Sequence, residues 1–141
     1  MSGRVKAGSG RWTSLIFHDV LPATTATGGG PERFAVSVEG FERTLDVIRA
    51  EGFRGCSVAE CLASDASEPV VGITFDDGAR NNFDHAVPAL RARGMTATFY
   101  VTTDWVGPDG FMTWDQLRQL AQWGMSVQSH TRSHPLLSEL D

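Results

Sequence analysis

The sequence predicts an α/β protein built on a parallel sheet, because short β-prone apolar runs alternate along it with helical patterns. Four runs bounded by polar or turn residues are the predicted strands: "TSLIF", "VVGITF", "ATFYV" and "MSVQS". Strands that are separated by helices join through right-handed crossovers, so neighbouring strands run in the same direction. Their carboxyl ends then share one edge of the sheet, where the ligand sites of parallel α/β folds lie.

The helical patterns carry recognisable start and stop residues. The clearest helix has Ser37 as its N-cap and Gly52 as its stop, with an apolar stripe of Val38, Phe41, Leu45 and Ile48.

Three shorter helices are predicted further along the chain. Capping boxes at Ser57–Glu60 and Thr113–Gln116 open two of them. The third runs through Leu90 and stops at Gly94, and Pro88 either starts it or kinks an earlier turn.

Composition narrows the classes of partner. A chain of 141 residues with a formal charge of −5 offers one domain with a core and no basic face, so neither nucleic acid nor anionic lipid is an expected partner. The longest apolar runs are about six residues, far below the roughly 20 that span a bilayer. No secretory h-region opens the chain, which leads to an expected cytoplasmic location, and residues 1–11 are expected to be flexible.

The chain has two cysteines, Cys56 and Cys61. Two residues this close together do not suggest a disulfide framework. Reduced structural thiols are the expected state.

Polar and ionisable side chains follow each of the four predicted strands. They are His18 and Asp19, Asp76 and Asp77, the segment 102–104, and the pair His130 and His134. A purely structural sheet would scatter such groups over both edges, so this bias favours a functional site at one edge.

Two histidines and one carboxylate are a common way to hold a divalent metal while leaving positions open for water and substrate. Asp77, His130 and His134 form such a set. A bound metal acidifies its water and polarises a carbonyl, which suits hydrolysis of an amide or an ester. Asp76 remains free to act as the general base.

Each part of this signal has a simpler interpretation. "FDDG" alone is typical of a β-turn, and histidines four residues apart often lie on a solvated helix face. Together the two motifs favour the metal site. The tryptophans Trp105, Trp114 and Trp123 could line a sugar groove, but the last two lie on or beside a helix, where core packing is expected.

The residues resemble a known family. "ITFDDG" at 73–78 and "SHTRSHP" at 129–135 look like the first two motifs of the polysaccharide deacetylases, carbohydrate esterase family four, also called the NodB homology domain. Similarity is dense from Val70 to Leu140, and "SLIFHDV" is similar to the opening strand of some branches. The resemblance implies a (β/α) barrel of the polysaccharide deacetylase type, with residues 1–141 as its N-terminal part and about four strands present.

The resemblance also implies an activity: removal of N-acetyl groups from amino-sugar polymers or oligosaccharides by attack of metal-bound water on the amide carbonyl. Asp76 would be the base, Asp77, His130 and His134 would hold a divalent metal, with zinc favoured, and His18 would face the carbohydrate substrate.

Later motifs of the family are not found in the sequence, so metal binding is expected to be more robust than turnover. Two alternatives therefore stay open: a truncated remnant that binds metal with little or no catalysis, and a cyclic amide or imide hydrolase of the same fold. The uncovered sheet of an incomplete barrel also predicts self-association.

Overall fold

The computed structural model describes residues 12–23, 34–65 and 67–140. The expectation for residues 1–11 lies outside the described residues. The regular elements in chain order are strands β1 (Thr13–Phe17), β2 (Asp19–Leu21) and β3 (Ala35–Ser37), helix α1 (Val38–Ala50), β4 (Arg54–Cys56), α2 (Val58–Ala63), β5 (Val70–Phe75), α3 (Val87–Ala92), β6 (Thr98–Val101), α4 (Trp114–Gln122) and β7 (Ser126–Ser129).

The four predicted strands are confirmed as β1, β5, β6 and β7, which lie side by side in that order. All their pairings are parallel, with Phe17 opposite Phe75 and Phe75 opposite Phe99. β4 pairs in parallel with the first half of β5 and makes this a five-stranded sheet, while β2 and β3 form a separate parallel pair. The fold is therefore α/β with an open parallel sheet. The three strands that the sequence missed are each three residues long, too short to show a period.

Helix capping agrees with the sequence. The Ser37 side chain accepts a hydrogen bond from the Gly40 backbone N–H at the start of α1. Both predicted capping boxes are formed, at α2 and at α4. The described helices include none that is long and apolar enough to cross a membrane.

Pro88 lies near the start of α3, and the helical turns before it are widened into a π-helix at Asn82–Ala86. The Val87 N–H donates to the Asn82 carbonyl, five residues back. Proline lacks an N–H and its ring collides with the carbonyl four residues earlier, and one wider turn accommodates both effects. Pro88 thus lies in the first turn of α3, one of the two predicted positions, and the helical turn before it is widened and not broken.

The core lies between the sheet and helices α1, α3 and α4. Its centre is aromatic: Phe75 stacks on Phe99 with 4.8 Å between ring centroids, and Phe41 of α1 meets the edges of Phe17 and Phe75. Alternate strand residues face the other way, and Ile16 of β1 is 64% exposed there. Self-association through this face stays a prediction.

The two isoleucines of neighbouring strands provide a matched test of this packing. Ile73 in β5 is fully buried and Ile16 in β1 is exposed. We expect Ile73→Val to lower the free energy of unfolding by about 0.5–1.5 kcal/mol, because the deleted methylene leaves a cavity. Ile16→Val should change it by less than about 0.5 kcal/mol. Urea titrations followed by circular dichroism measure both, and equal losses would contradict the assignment of faces.

Candidate metal and catalytic site

The site begins where β5 leaves the sheet. The Asp76 backbone N–H donates to the Phe17 carbonyl at 3.0 Å and so extends the ladder with β1 by one residue. Asp77 then adopts a left-handed conformation with φ 73°, and the Gly78 N–H donates back to the Asp76 carbonyl. "FDDG" is thus a tight turn, as its simpler interpretation predicted, and the turn directs two carboxylates away from the strand.

Gly78 is required by both conformation and space. Its φ is 86°, and a Cβ atom at this position would lie 3.0 Å from Cγ1 of Val101 at the end of β6. The turn therefore packs directly against the neighbouring strand end.

The two histidines lie on the loop that follows β7, and not on a helix. The His130 N–H donates to the Val101 carbonyl at 2.8 Å, which fixes the start of the loop beside β6. Thr131 and His134 both have positive φ values, 66° and 54°. The Thr131 hydroxyl accepts a hydrogen bond from the His134 N–H at 2.9 Å, so the loop folds back on itself and brings the second imidazole beside the first.

The predicted set of Asp77, His130 and His134 is brought together. One potential ligand atom from each lies within 4.8 Å of the others, and Oδ1 of Asp77 is 3.5 Å from Nε2 of both histidines. Two ligand atoms that are each about 2.1 Å from one tetrahedral ion lie about 3.4 Å apart. The spacing therefore fits a shared divalent cation.

The Oδ1 atom of Asp77 is buried and accepts no hydrogen bond from the described residues. A buried carboxylate oxygen without a hydrogen bond is costly, and such an atom indicates a cation or a water molecule that completes its shell. The side chain of Asp77 is the least exposed of the three.

Asp76 lies beside His18, with 3.9 Å between Oδ2 and the histidine Nε2. Two asparagines that the sequence analysis missed hold the His18 segment. Nδ2 of the fully buried Asn82 donates to the His18 carbonyl at 2.9 Å. Asn81 donates to the Asp19 carboxylate and accepts from the Val20 N–H.

One of the three tryptophans, Trp114, does not lie where the sequence predicts it. Trp105 stacks on His134 and lies tilted against Phe111, with centroids 5.3 and 5.2 Å away, so it forms one wall of the site. Trp123 packs on Phe83, as expected for a core-facing side chain. The expectation of core packing for Trp114 is wrong, since 55% of it is exposed in the first turn of α4.

Comparison with known proteins identifies the family. The family model described as polysaccharide deacetylase matches residues 63–141, which include the turn after β5 and both histidines. The chain belongs to the polysaccharide deacetylase family.

Relatives of this chain are found among curated proteins and solved structures. YxkH of Bacillus subtilis (strain 168), which bears a provisional polysaccharide deacetylase name, is 40% identical over 105 residues, or 71% of this chain and 38% of YxkH. Among solved structures, the deacetylase PplD of Streptococcus pyogenes in complex with acetate has a TM-score of 0.77 at 27% identity over 92% of this chain and 60% of PplD. IcaB from Ammonifex degensii gives 0.74 at 27% identity over 89% and 54%.

A solved structure of lower sequence identity has the same fold. BC0361, a polysaccharide deacetylase from Bacillus cereus, is 24% identical and superimposes with a TM-score of 0.81 over 93% of this chain and 42% of its own. The open sheet is therefore part of the barrel expected for the family. The chain spans between about two fifths and three fifths of the length of these relatives.

The turn at Gly78 can be tested against a glycine of the same conformation. Gly124, after α4, has φ 83° and open space where a Cβ would lie. We expect Gly124→Ala to destabilise by about 1 kcal/mol from backbone strain, and Gly78→Ala to cost about 1–3 kcal/mol more because of the contact with Val101.

Urea denaturation of the single variants and of Gly78→Ala with Val101→Ala measures the coupling. The double variant should lose less free energy of unfolding than the sum of the losses of the two single variants. Additive losses would show that the turn does not press on Val101.

Proposed function

We propose that the protein is a metal-dependent deacetylase that removes N-acetyl groups from amino-sugar polymers or oligosaccharides. The observation that carries the proposal is the convergence of Asp77, His130 and His134 beside a second carboxylate, Asp76, in a chain of the polysaccharide deacetylase family.

The donor set favours a borderline divalent cation, and zinc in particular. Two imidazoles and one carboxylate are typical of catalytic zinc sites that keep a position open. A cation held there would supply Lewis-acid polarisation of an amide carbonyl and would acidify a nearby water molecule. Such a cation would also be bound by Oδ1 of Asp77, which accepts no hydrogen bond from the described residues.

Asp76 is proposed as the general base that takes the proton of the attacking water. Asp76 directly follows Phe75, whose position is fixed by pairing with β1 and with β6. About a fifth of the Asp76 side chain is exposed, which is enough for it to contact a substrate. His18 stays a predicted substrate-binding residue. Its Nε2 lies near enough to Asp76 to orient the carboxylate through a short shift or one water molecule.

The wall beside the metal ligands suits a sugar. Trp105 offers an aromatic face next to His134, and Phe34 stacks on His18 at 5.2 Å on the other side of the pair of aspartates. Aromatic faces bind the apolar face of a pyranose through the same dispersion and C–H contacts that pack them elsewhere. The acetate bound by PplD is the product of the proposed type of reaction.

Metal binding is the first prediction of this proposal. The purified chain should bind about one equivalent of Zn²⁺, and Asp77→Asn should weaken binding by at least tenfold, because an amide oxygen carries no charge. His85→Gln is the matched control, since His85 lies in the π-helix segment and outside the ligand cluster. Isothermal titration calorimetry on the metal-free protein measures the affinities. Equal binding by Asp77→Asn and His85→Gln would contradict the ligand set.

Deacetylation is the second prediction. The zinc-loaded protein should release acetate from acetylated chitooligosaccharides, and Asp76→Asn should lower kcat by about 10²–10⁴-fold while leaving bound zinc at one equivalent. An enzymatic acetate assay with metal analysis of the same samples separates the two properties.

The outcomes also distinguish the alternatives. Stoichiometric zinc without acetate release from any sugar would favour a metal-binding remnant. Ring opening of a cyclic imide without acetate release from sugars would favour the imide hydrolase. Full activity in Asp76→Asn would remove Asp76 from the role of base.

A further inference from the structure

The two cysteines meet in a second buried cluster, away from the metal ligands. Cys56 ends β4 and Cys61 lies one turn into α2, and Sγ of one is 3.0 Å from Sγ of the other. Both side chains are almost fully buried, and they pack with Val70 under the half-buried ring of Trp12. Gly72 makes this cover possible, because a Cβ there would lie 2.9 Å from the indole.

We propose that Cys56 and Cys61 form an intramolecular disulfide bond when the chain folds in the presence of a small-molecule disulfide such as glutathione disulfide. The inference is independent of the proposed function, because none of the site residues takes part in it. In the structure both cysteines are free and buried, as the sequence predicts, and the proposal concerns the chain that folds with an oxidant present.

Geometry supports the bond. A disulfide requires the sulfur atoms to approach to about 2.05 Å, so the present separation has to close by about 1 Å. Because β4 is paired with β5 and the capping box of α2 is complete, we expect side-chain rotation to close this gap. These are the only cysteines of the chain, so each has one intramolecular partner.

The surroundings hold the pair in place. The Ser57 N–H between them donates to both the Thr96 hydroxyl and the Glu60 carboxylate, and the Val58 N–H donates to the Thr98 hydroxyl. Thr96 also donates a short hydrogen bond to Glu60. These contacts anchor the first turn of α2 to the segment leading into β6, so the two cysteine backbones keep a fixed separation.

Thiol–disulfide exchange forms the bond in two steps. The thiolate of one cysteine attacks the small disulfide, forms a mixed disulfide and releases one small thiolate. The second cysteine then attacks the protein-bound sulfur as a thiolate, closes the Cys56–Cys61 bond and releases the second small thiolate. The protein loses two electrons and two protons, and glutathione disulfide is reduced to two molecules of glutathione.

The burial of the two thiols determines when the disulfide bond can form. Desolvation, together with the hydrogen bond to Cys61, raises the pKa of the Cys56 thiol to about 12, and burial also raises the pKa of Cys61. Because the thiolate is the reactive species, the folded pair is slow to oxidise and the finished bond is slow to be reduced. Formation therefore belongs to folding, while both thiols are still accessible to the oxidant.

The consequence is local to α2. The bond would tie this helix to the end of β4, and α2 forms one side of a pocket of about 250 Å³ whose other side is Tyr100, Gln128 and their neighbours on β6 and β7. A crosslink at this point limits how far α2 can move from the sheet.

The test uses the full chain, reduced and denatured, then refolded with a mixture of oxidised and reduced glutathione. Samples are quenched in acid, unfolded, alkylated with iodoacetamide and weighed as intact protein by mass spectrometry, while circular dichroism verifies refolding. The expected product carries no alkyl group, is about 2 Da lighter than the dithiol and accounts for about nine tenths of the refolded protein. Alkylation of both cysteines in the refolded fraction would overturn the proposal.

Variants and kinetics complete the test. Cys61→Ser should refold with Cys56 alkylated or joined to glutathione, which shows that protection requires the pair. Covalent dimers of the unaltered chain on a non-reducing gel, in place of the lighter monomer, would also overturn it. Folded reduced protein should react with a disulfide reagent at least tenfold more slowly than denatured protein, and equal rates would contradict the assigned burial.

Discussion

The carboxyl end of β5 is the constraint on which the site depends. This strand is buried along its whole length and pairs with β1 on one side and with β4 and β6 on the other. Its last residue, Phe75, stacks between Phe17 and Phe99, so the backbone at Asp76 is held by hydrogen bonds and by aromatic packing together. A carboxylate that must stay within a fraction of an ångström of its working position benefits from this rigidity.

Parallel strands alone do not bring the aspartates and histidines into contact. β6 lies between β5 and β7, and two strand spacings amount to about 10 Å. The gap is closed by backbone that leaves the sheet in unusual conformations on both sides: Asp77 and Gly78 after β5, and Thr131 and His134 after β7 all have positive φ. Val101 at the end of β6 receives both loops, through its side chain at Gly78 and its carbonyl at His130. The middle strand thus aligns the two halves of the ligand set.

The sequence predicts those parts of the protein that local periodicity controls. The four long strands and the caps at Ser37, Ser57 and Thr113 follow from patterns within ten residues, and the site residues follow from the rule for strand ends. Asn81 and Asn82 could not be found in this way, because their partners lie 61 to 64 residues earlier and are mainly backbone atoms. No pattern in one sequence reports such contacts. The contact between Cys56 and Cys61 was also missed, since it depends on how β4 meets α2 and not on the spacing of the two residues.

The ligand loops are the costly part of an otherwise well-packed molecule. Thr131 is β-branched and left-handed, a combination that costs about 1–3 kcal/mol, and Asp77 adds a buried carboxylate oxygen without a hydrogen-bond donor among the described residues. Asp and His tolerate the left-handed region better than most residues, so the positive φ values of Asp77 and His134 cost little. Backbone conformation alone does not explain why a carboxylate and an imidazole stand at these two positions. The proposed metal ion would offset both costs. At a free concentration of a hundred times its dissociation constant, a cation that binds only the folded site would stabilise the protein by about 2.7 kcal/mol. It would act at Oδ1 of Asp77, the atom without a hydrogen bond. The same arrangement that makes these loops unfavourable on their own would favour a cation, which the Asp77 carboxylate and both imidazoles could coordinate together.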